Sequence, residues 1–140
     1  MPPLKTYDIF ISHAWKYNAD YYKLLNNLKA TPNFRIRNYS VPEHDPVIDP
    51  KSNVGRRKLE GLIDNQIRPV NIVLILSGMY AAYSFWIEKE IEIADSYNKP
   101  IIGIKPRGQV RTPFVISNSS VEMVGWSTPN IVDKIRTYSI

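Results

Sequence analysis

The sequence predicts an α/β fold in which five parallel strands, in the spatial order 2-1-3-4-5, are covered by helices on both faces. Three observations predict it. Apolar, β-branched runs alternate along the chain with segments whose apolar residues recur at helical spacing, and that alternation implies crossover connections and a parallel sheet. Residues 7–11 (YDIFI), 71–76 (NIVLIL) and 100–104 (PIIGI) are nearly continuous apolar runs, the pattern of strands buried on both faces. Residues 34–37 (FRIR) and 121–126 (VEMVGW) instead carry polar residues at about every second place, so they belong at the two edges.

The elements follow in order. After the first strand, Tyr21, Leu24, Leu25 and Leu28 recur along one helix face. Strict alternation in 34–37 gives the second strand, and Leu59, Leu62, Ile63 and Ile67 give the second helix. The third strand, 71–76, leads to a helix over 84–94 (SFWIEKEIEIA). The fourth strand, 100–104, and the fifth, 121–126, complete the sheet. Thr128 as the capping residue, followed by Pro129 at the first helical position, announces a last helix, with Ile131, Val132, Ile135 and Tyr138 behind it. Two connections, 42–55 and 106–120, read as long loops without a helix of their own, and loops of that length are often functional. This is the order of a flavodoxin-like three-layer sandwich, whose ligand crevice opens beyond the carboxyl ends of strands 1 and 3. Ser12, His13 and Trp15, together with residues 77–80, should flank it.

Bulk properties narrow the function. A chain of 140 residues with 44% hydrophobic side chains fits a single domain with a real core. The 18 Lys and Arg against 13 Asp and Glu leave a net charge of +5, which suits anionic ligands. No cysteine is present, so disulfide and thiolate chemistry are excluded. No secretory signal pattern and no membrane-length apolar run occur, and a cytoplasmic address is expected. Neither G-x-G-x-x-G after the first strand nor a P-loop is found, against the usual dinucleotide and triphosphate folds. Strand 1 ends in Ser-His-Ala instead of an acidic cluster, and Ser77 stands where a receiver domain has its phosphate-accepting Asp.

The glutamates of the third helix are not equivalent. At about 100° per residue, Glu88, Glu92 and Asp95 share one side with Lys89 and Ser96, a solvated face. Trp86, Ile87, Ile91, Ile93, Ala94 and Tyr97 occupy the opposite arc, and Glu90 falls near its centre. A carboxylate on an apolar face must find a partner or bear a desolvation penalty that raises its pKa. Glu90 is therefore the candidate active-site acid. A structural ion pair, a bond to a backbone amide or a tilted helix would explain the same pattern.

With those residues in place, a resemblance emerges. YDIFISH over 7–13 resembles the opening motif of TIR domains, and Ser84-x-Trp86-x-x-x-Glu90 resembles their Ser-x-Trp-Cys-x-x-Glu motif, with Ile87 in place of the cysteine. KPIIGIKPRG over 99–108 and Val124-Gly-Trp126 look most like the prokaryotic TIR-like family that includes the TIR component of Thoeris anti-phage systems. The resemblance implies a TIR fold that binds NAD as substrate, with no separate cofactor and no metal. In catalytic members the third-helix glutamate serves to cleave the nicotinamide glycosidic bond. Thoeris-type members make a cyclic ADP-ribose isomer for a partner effector, and homo-oligomers through TIR surfaces are a further expectation.

Around Glu90, the candidate NAD contacts are Phe10, Ser12, His13 and Trp15 near strand 1, Tyr80, Ser84 and Trp86 at the third helix, and Asp45 and Asp49 on the 42–55 loop. Ser84 is expected first as the cap of its helix. Lys105, Arg107 and Arg111 stand where a pyrophosphate would pass, although a solvated basic loop explains them too. The competing reading is a non-catalytic TIR module that works by association. A nucleic-acid binder is a third reading supported only by charge and is not expected, since no basic helix or aromatic platform stands out, and no membrane partner is expected.

Overall fold

The computed structural model describes residues 5–12, 19–39, 53–76, 80–105 and 114–140. Within them the chain forms β1 (Thr6–Ser12), α1 (Ala19–Ala30), β2 (Arg35–Asn38), α2 (Asn53–Ile67), β3 (Ile72–Leu76), α3 (Tyr80–Ser96), β4 (Ile101–Lys105), α4 (Phe114–Ser119), β5 (Glu122–Gly125) and α5 (Thr128–Tyr138). All four strand pairings are parallel and the order is β2-β1-β3-β4-β5, as expected. The central position of β3 follows from its composition: all five residues of IVLIL are buried, with no polar side chain to solvate. β2 and β5, each with polar residues, take the edges.

Strand parity divides the core in two. Ile9 and Ile11 of β1, with Ile72, Leu74 and Leu76 of β3, pack under α1 and α5. Phe10, Val73 and Ile75 point the other way, against Ile63 and Ile67 of α2, Ile87, Ile91 and Ala94 of α3, and Ile116 of α4. Each such Ile or Leu removed from water contributes about 1.5–3 kcal/mol, so α3 is fixed on the sheet mainly by the face that carries Ile87 and Ile91.

Polar ties complete the frame. Asn71, just before β3, accepts from the Asp8 amide through its Oδ1 at 2.9 Å and donates from its Nδ2 to the Ile140 carbonyl at 2.9 Å. The Tyr97 hydroxyl donates to Asp64 Oδ1 at 2.7 Å, joining the ends of α3 and α2, and Arg68 donates to both. α3 ends where Asn98 takes φ 55°, and the Lys99 amide returns to the Ala94 carbonyl at 2.9 Å, a left-handed cap that asparagine tolerates. In β4, Gly103 makes room for a close neighbour: a Cβ there would stand 2.2 Å from Met123 Sδ.

Three local expectations need correction. Residues 106–120 are not all loop, because 114–119 form α4. Six residues with one buried side chain, Ile116, are too few to display a helical period. α3 begins at Tyr80, so Ser84 stands inside the helix and is not its cap. α5 is capped by Ser127 in extended backbone, without a side-chain cap bond, so Thr128 is already helical. In the other long connection, residues 53–55 belong to α2 and 42–52 lie outside the described residues.

Candidate active site

Ser12 is the last residue of β1 and shares the parity of Phe10, so its side chain faces the layer that contains α3. It lies opposite Ile75 of β3, at the carboxyl ends of the two central strands where an open parallel sheet has its crevice. α3 brings Glu90 to the same place. Glu90 is 4% exposed and Ser12 1% exposed, the two buried polar side chains among the described residues. Glu88, Glu92 and Asp95 on the same helix are exposed, while Ile87, Ile91 and Ala94 are buried around Glu90. The helix pattern thus separates one carboxyl from its three acidic neighbours.

Burial dominates the electrostatics of that carboxyl. Loss of solvation pushes the Glu90 pKa from 4.5 up to about 8, and the Ser12 hydroxyl draws it part of the way back. The contact with Ser12 does not amount to a full hydrogen bond. Ser12 Oγ and Glu90 Oε2 are each buried with no hydrogen-bond partner among the described residues. Neither an arginine nor a lysine pairs with Glu90 among those residues. The structural ion pair that would have explained a buried glutamate is thus absent there. A neutral carboxylic acid with one unengaged oxygen, beside an unengaged hydroxyl, has capacity for a ligand's hydroxyl groups and can release a proton when a positive charge approaches.

The other expected site residues divide clearly. Phe10 is 1% exposed within the α2–α3 core, two residues before Ser12. Tyr80, Ser84 and Trp86 belong to α3, upstream of Glu90. Lys105 ends β4 and is half-buried. His13, Trp15, Asp45, Asp49, Arg107 and Arg111 lie outside the described residues. No group of three His, Asp or Glu side chains suited to a metal occurs among the described residues. What the sequence reading missed was the partnership of Ser12 with Glu90. Strand parity was the available signal, since Ser12 follows Phe10 by two.

An open groove of about 610 Å³ runs between α2 and α3, but it is not this site. Its wall includes Glu60, Lys89 and Glu92, and Lys89 Nζ stands 3.7 Å from Glu60 and 3.6 Å from Glu92. These partly exposed charges answer one another and remain in contact with solvent.

Comparison with known proteins bears on the same elements. A family model described as Thoeris protein ThsB, TIR-like domain, matches residues 10–111, more than half of the chain and including Ser12 and Glu90. Among solved structures, the chain is similar to the Clostridium botulinum CMP N-glycosidase BcmB. That likeness has 12% identity and a TM-score of 0.54, and covers 94% of this chain and 98% of the other. At that identity it speaks for the fold. None of the curated proteins searched matches the chain.

Proposed function

Because the chain belongs to the TIR-like domain family of Thoeris protein ThsB, we propose that it cleaves the nicotinamide N-glycosidic bond of NAD and releases a cyclic ADP-ribose isomer that signals to an effector protein. The observation that carries this reading is Glu90: one acid, buried beside Ser12 at the carboxyl end of β1, with an oxygen that no described group engages. The name of the structurally similar protein, an N-glycosidase acting on CMP, fits the same bond class. No described helix is long and apolar enough to cross a membrane, and the proposed setting is the cytoplasm.

The chemistry asks little of the protein beyond one carboxylate. Nicotinamide departs from a cationic pyridinium ring as a neutral base, so the leaving group needs no proton. The barrier lies in the oxocarbenium-like charge that grows on the ribose. A carboxylate held next to that carbon stabilises the charge, and its bonds to the ribose hydroxyls orient the sugar. Glu90 rests protonated at neutral pH in the free protein, and the pyridinium charge of NAD favours its ionised form on binding. A pocket that excludes water then favours attack by a nucleophile within the same molecule, and hence a cyclic product, over hydrolysis.

The test incubates the purified chain with NAD and, separately, with CMP, in the presence and absence of an extract from infected cells, and identifies products by mass spectrometry beside Glu90→Gln. Product from NAD in the wild type and not in the variant is the expected result. Equal turnover by the variant would remove Glu90 from the mechanism. Cleavage of CMP alone would reassign the substrate. No turnover in any sample with extract would favour the reading that a neutral, buried Glu90 serves an association module without catalysis.

A further inference from the structure

The amino end of the sheet, opposite to Ser12 and Glu90, gathers positive charge from four separate elements or their flanks. Lys5 precedes β1, Arg35 opens β2 beside Thr6, Lys29 lies in the last turn of α1, and Arg136 lies in the last turn of α5. All four are exposed, and none has a carboxylate partner among the described residues. Arg37, the next residue on the same face of β2, is neutralised by Asp8 at 2.6 Å.

These cations are ordered around an aromatic pair. The Tyr7 and Phe34 rings stack with centroids 5.4 Å apart; Lys5 Nζ sits 5.0 Å from the Tyr7 ring, and the Arg136 guanidinium 5.3 Å from the Phe34 ring. Arg136 also donates to the Asn33 carbonyl at 2.8 Å. Phe34 then forms part of an open groove of about 510 Å³ whose rim carries Lys29, Arg35 and Arg37. Lysine and arginine in the last turn of a helix answer the helix dipole, which would account for Lys29 and Arg136. It does not account for Lys5 and Arg35, which stand at the strands.

We propose that this groove and its cationic rim form a docking surface for the phosphate backbone of nucleic acid. Chain polymers of phosphate require spaced cations and need no apolar contact, because release of condensed counterions supplies the affinity. A protein partner would require an apolar centre to its interface, and the aromatic pair is already covered by its own lysine and arginine. A membrane would require a cluster of apolar or aromatic anchors, and the exposed large apolar side chains, Phe114, Val121 and Ile140, stand singly on three separate segments and line no part of this groove. β1 spans roughly 20 Å from Thr6 to Ser12, so a strand held here leaves the Glu90 end open. No stretch of sequence announces the surface, since positions 5, 29, 35 and 136 meet only in the fold.

The test measures fluorescence anisotropy of the full chain with a labelled duplex and a labelled single strand of about 20 nucleotides, across roughly 50 to 200 mM salt. An acidic polypeptide and anionic lipid vesicles are the comparison probes. Lys29→Glu with Arg35→Glu is set against Arg57→Glu with Lys58→Glu, which changes net charge equally on exposed α2 positions. Binding of nucleic acid by the wild type should weaken with salt at a slope of about −3 to −4, and the patch variant should lose about tenfold or more with a slope smaller by about 2. The α2 variant should lose far less. Milder Lys29→Ala with Arg35→Ala should fall between them, and circular dichroism checks that each variant is folded. Equal loss in both reversal variants would overturn the proposal. So would binding confined to the polypeptide or the vesicles, or no binding of nucleic acid at the lowest salt.

Discussion

The carboxyl of Glu90 lies against the hydroxyl of Ser12 with Oε2 and Oγ both buried and unengaged among the described residues. Two buried polar groups left in this state each carry an unrecovered desolvation cost of about 1–3 kcal/mol, and a ligand that bonds to both recovers it.

Glu90→Gln should abolish NAD cleavage by about 100-fold or more, the loss expected when a charge-stabilising group is neutralised. It should also change the pH dependence of stability. The unfolded Glu90 titrates near 4.5 and the folded one near 8, so between those values the native state holds the extra proton. That contribution is complete below pH 4.5 and is lost as pH rises through 8, with an upper limit of about 5 kcal/mol. Chemical denaturation between pH 5 and 9 should show the wild type weakening across this window relative to Glu90→Gln.

Ser12→Ala removes the group that draws the Glu90 pKa down. The acidic limb of the kcat/KM profile should move to higher pH, with activity lowest relative to wild type at neutral pH and recovering in base. Stability should rise, by up to about 1–3 kcal/mol less the cost of the small void, because the variant no longer buries a hydroxyl without a partner. An unchanged pH profile would separate Ser12 from the acid.

Tyr97→Phe should cost about 1 kcal/mol by removing the bond to Asp64 that ties α3 to α2. The Tyr97 hydroxyl is the first cause holding the Asp64 pKa below its usual value, followed in the same sense by Arg68. A lowered carboxyl pKa stabilises the fold above the ordinary value of 3.8 and is lost as pH falls through the folded value. The gap between wild type and variant should therefore narrow in acid, as urea titrations at pH 7 and pH 3 would reveal.

Asn71→Ala should destabilise by about 1–3 kcal/mol, since it leaves the Asp8 amide and the Ile140 carbonyl without their side-chain partner. Asn71→Asp retains the acceptor for Asp8 and loses the donor to Ile140, so it should lie between the two. Thermal unfolding of the three proteins in parallel checks the order.

The sequence by itself determined the sheet. A strand such as IVLIL cannot stand at an edge and FRIR cannot be buried on both faces, so apolar periodicity put β1, β3 and β4 inside and β2 and β5 at the edges, as the flavodoxin-like order β2-β1-β3-β4-β5 requires. Helical periodicity likewise separated Glu90 from Glu88 and Glu92, because burial repeats with the helix turn. The tertiary structure decided what depends on neighbours distant in the chain. The short α4, the start of α3 at Tyr80 and the cap at Ser127 are set by local backbone and packing that a six-residue or one-turn pattern cannot encode. The meeting of Ser12 with Glu90, and of Lys5, Lys29, Arg35 and Arg136 at the opposite end, required the crossovers to close first. Periodicity reports which face a side chain takes, whereas contact depends on which faces the folded chain brings together.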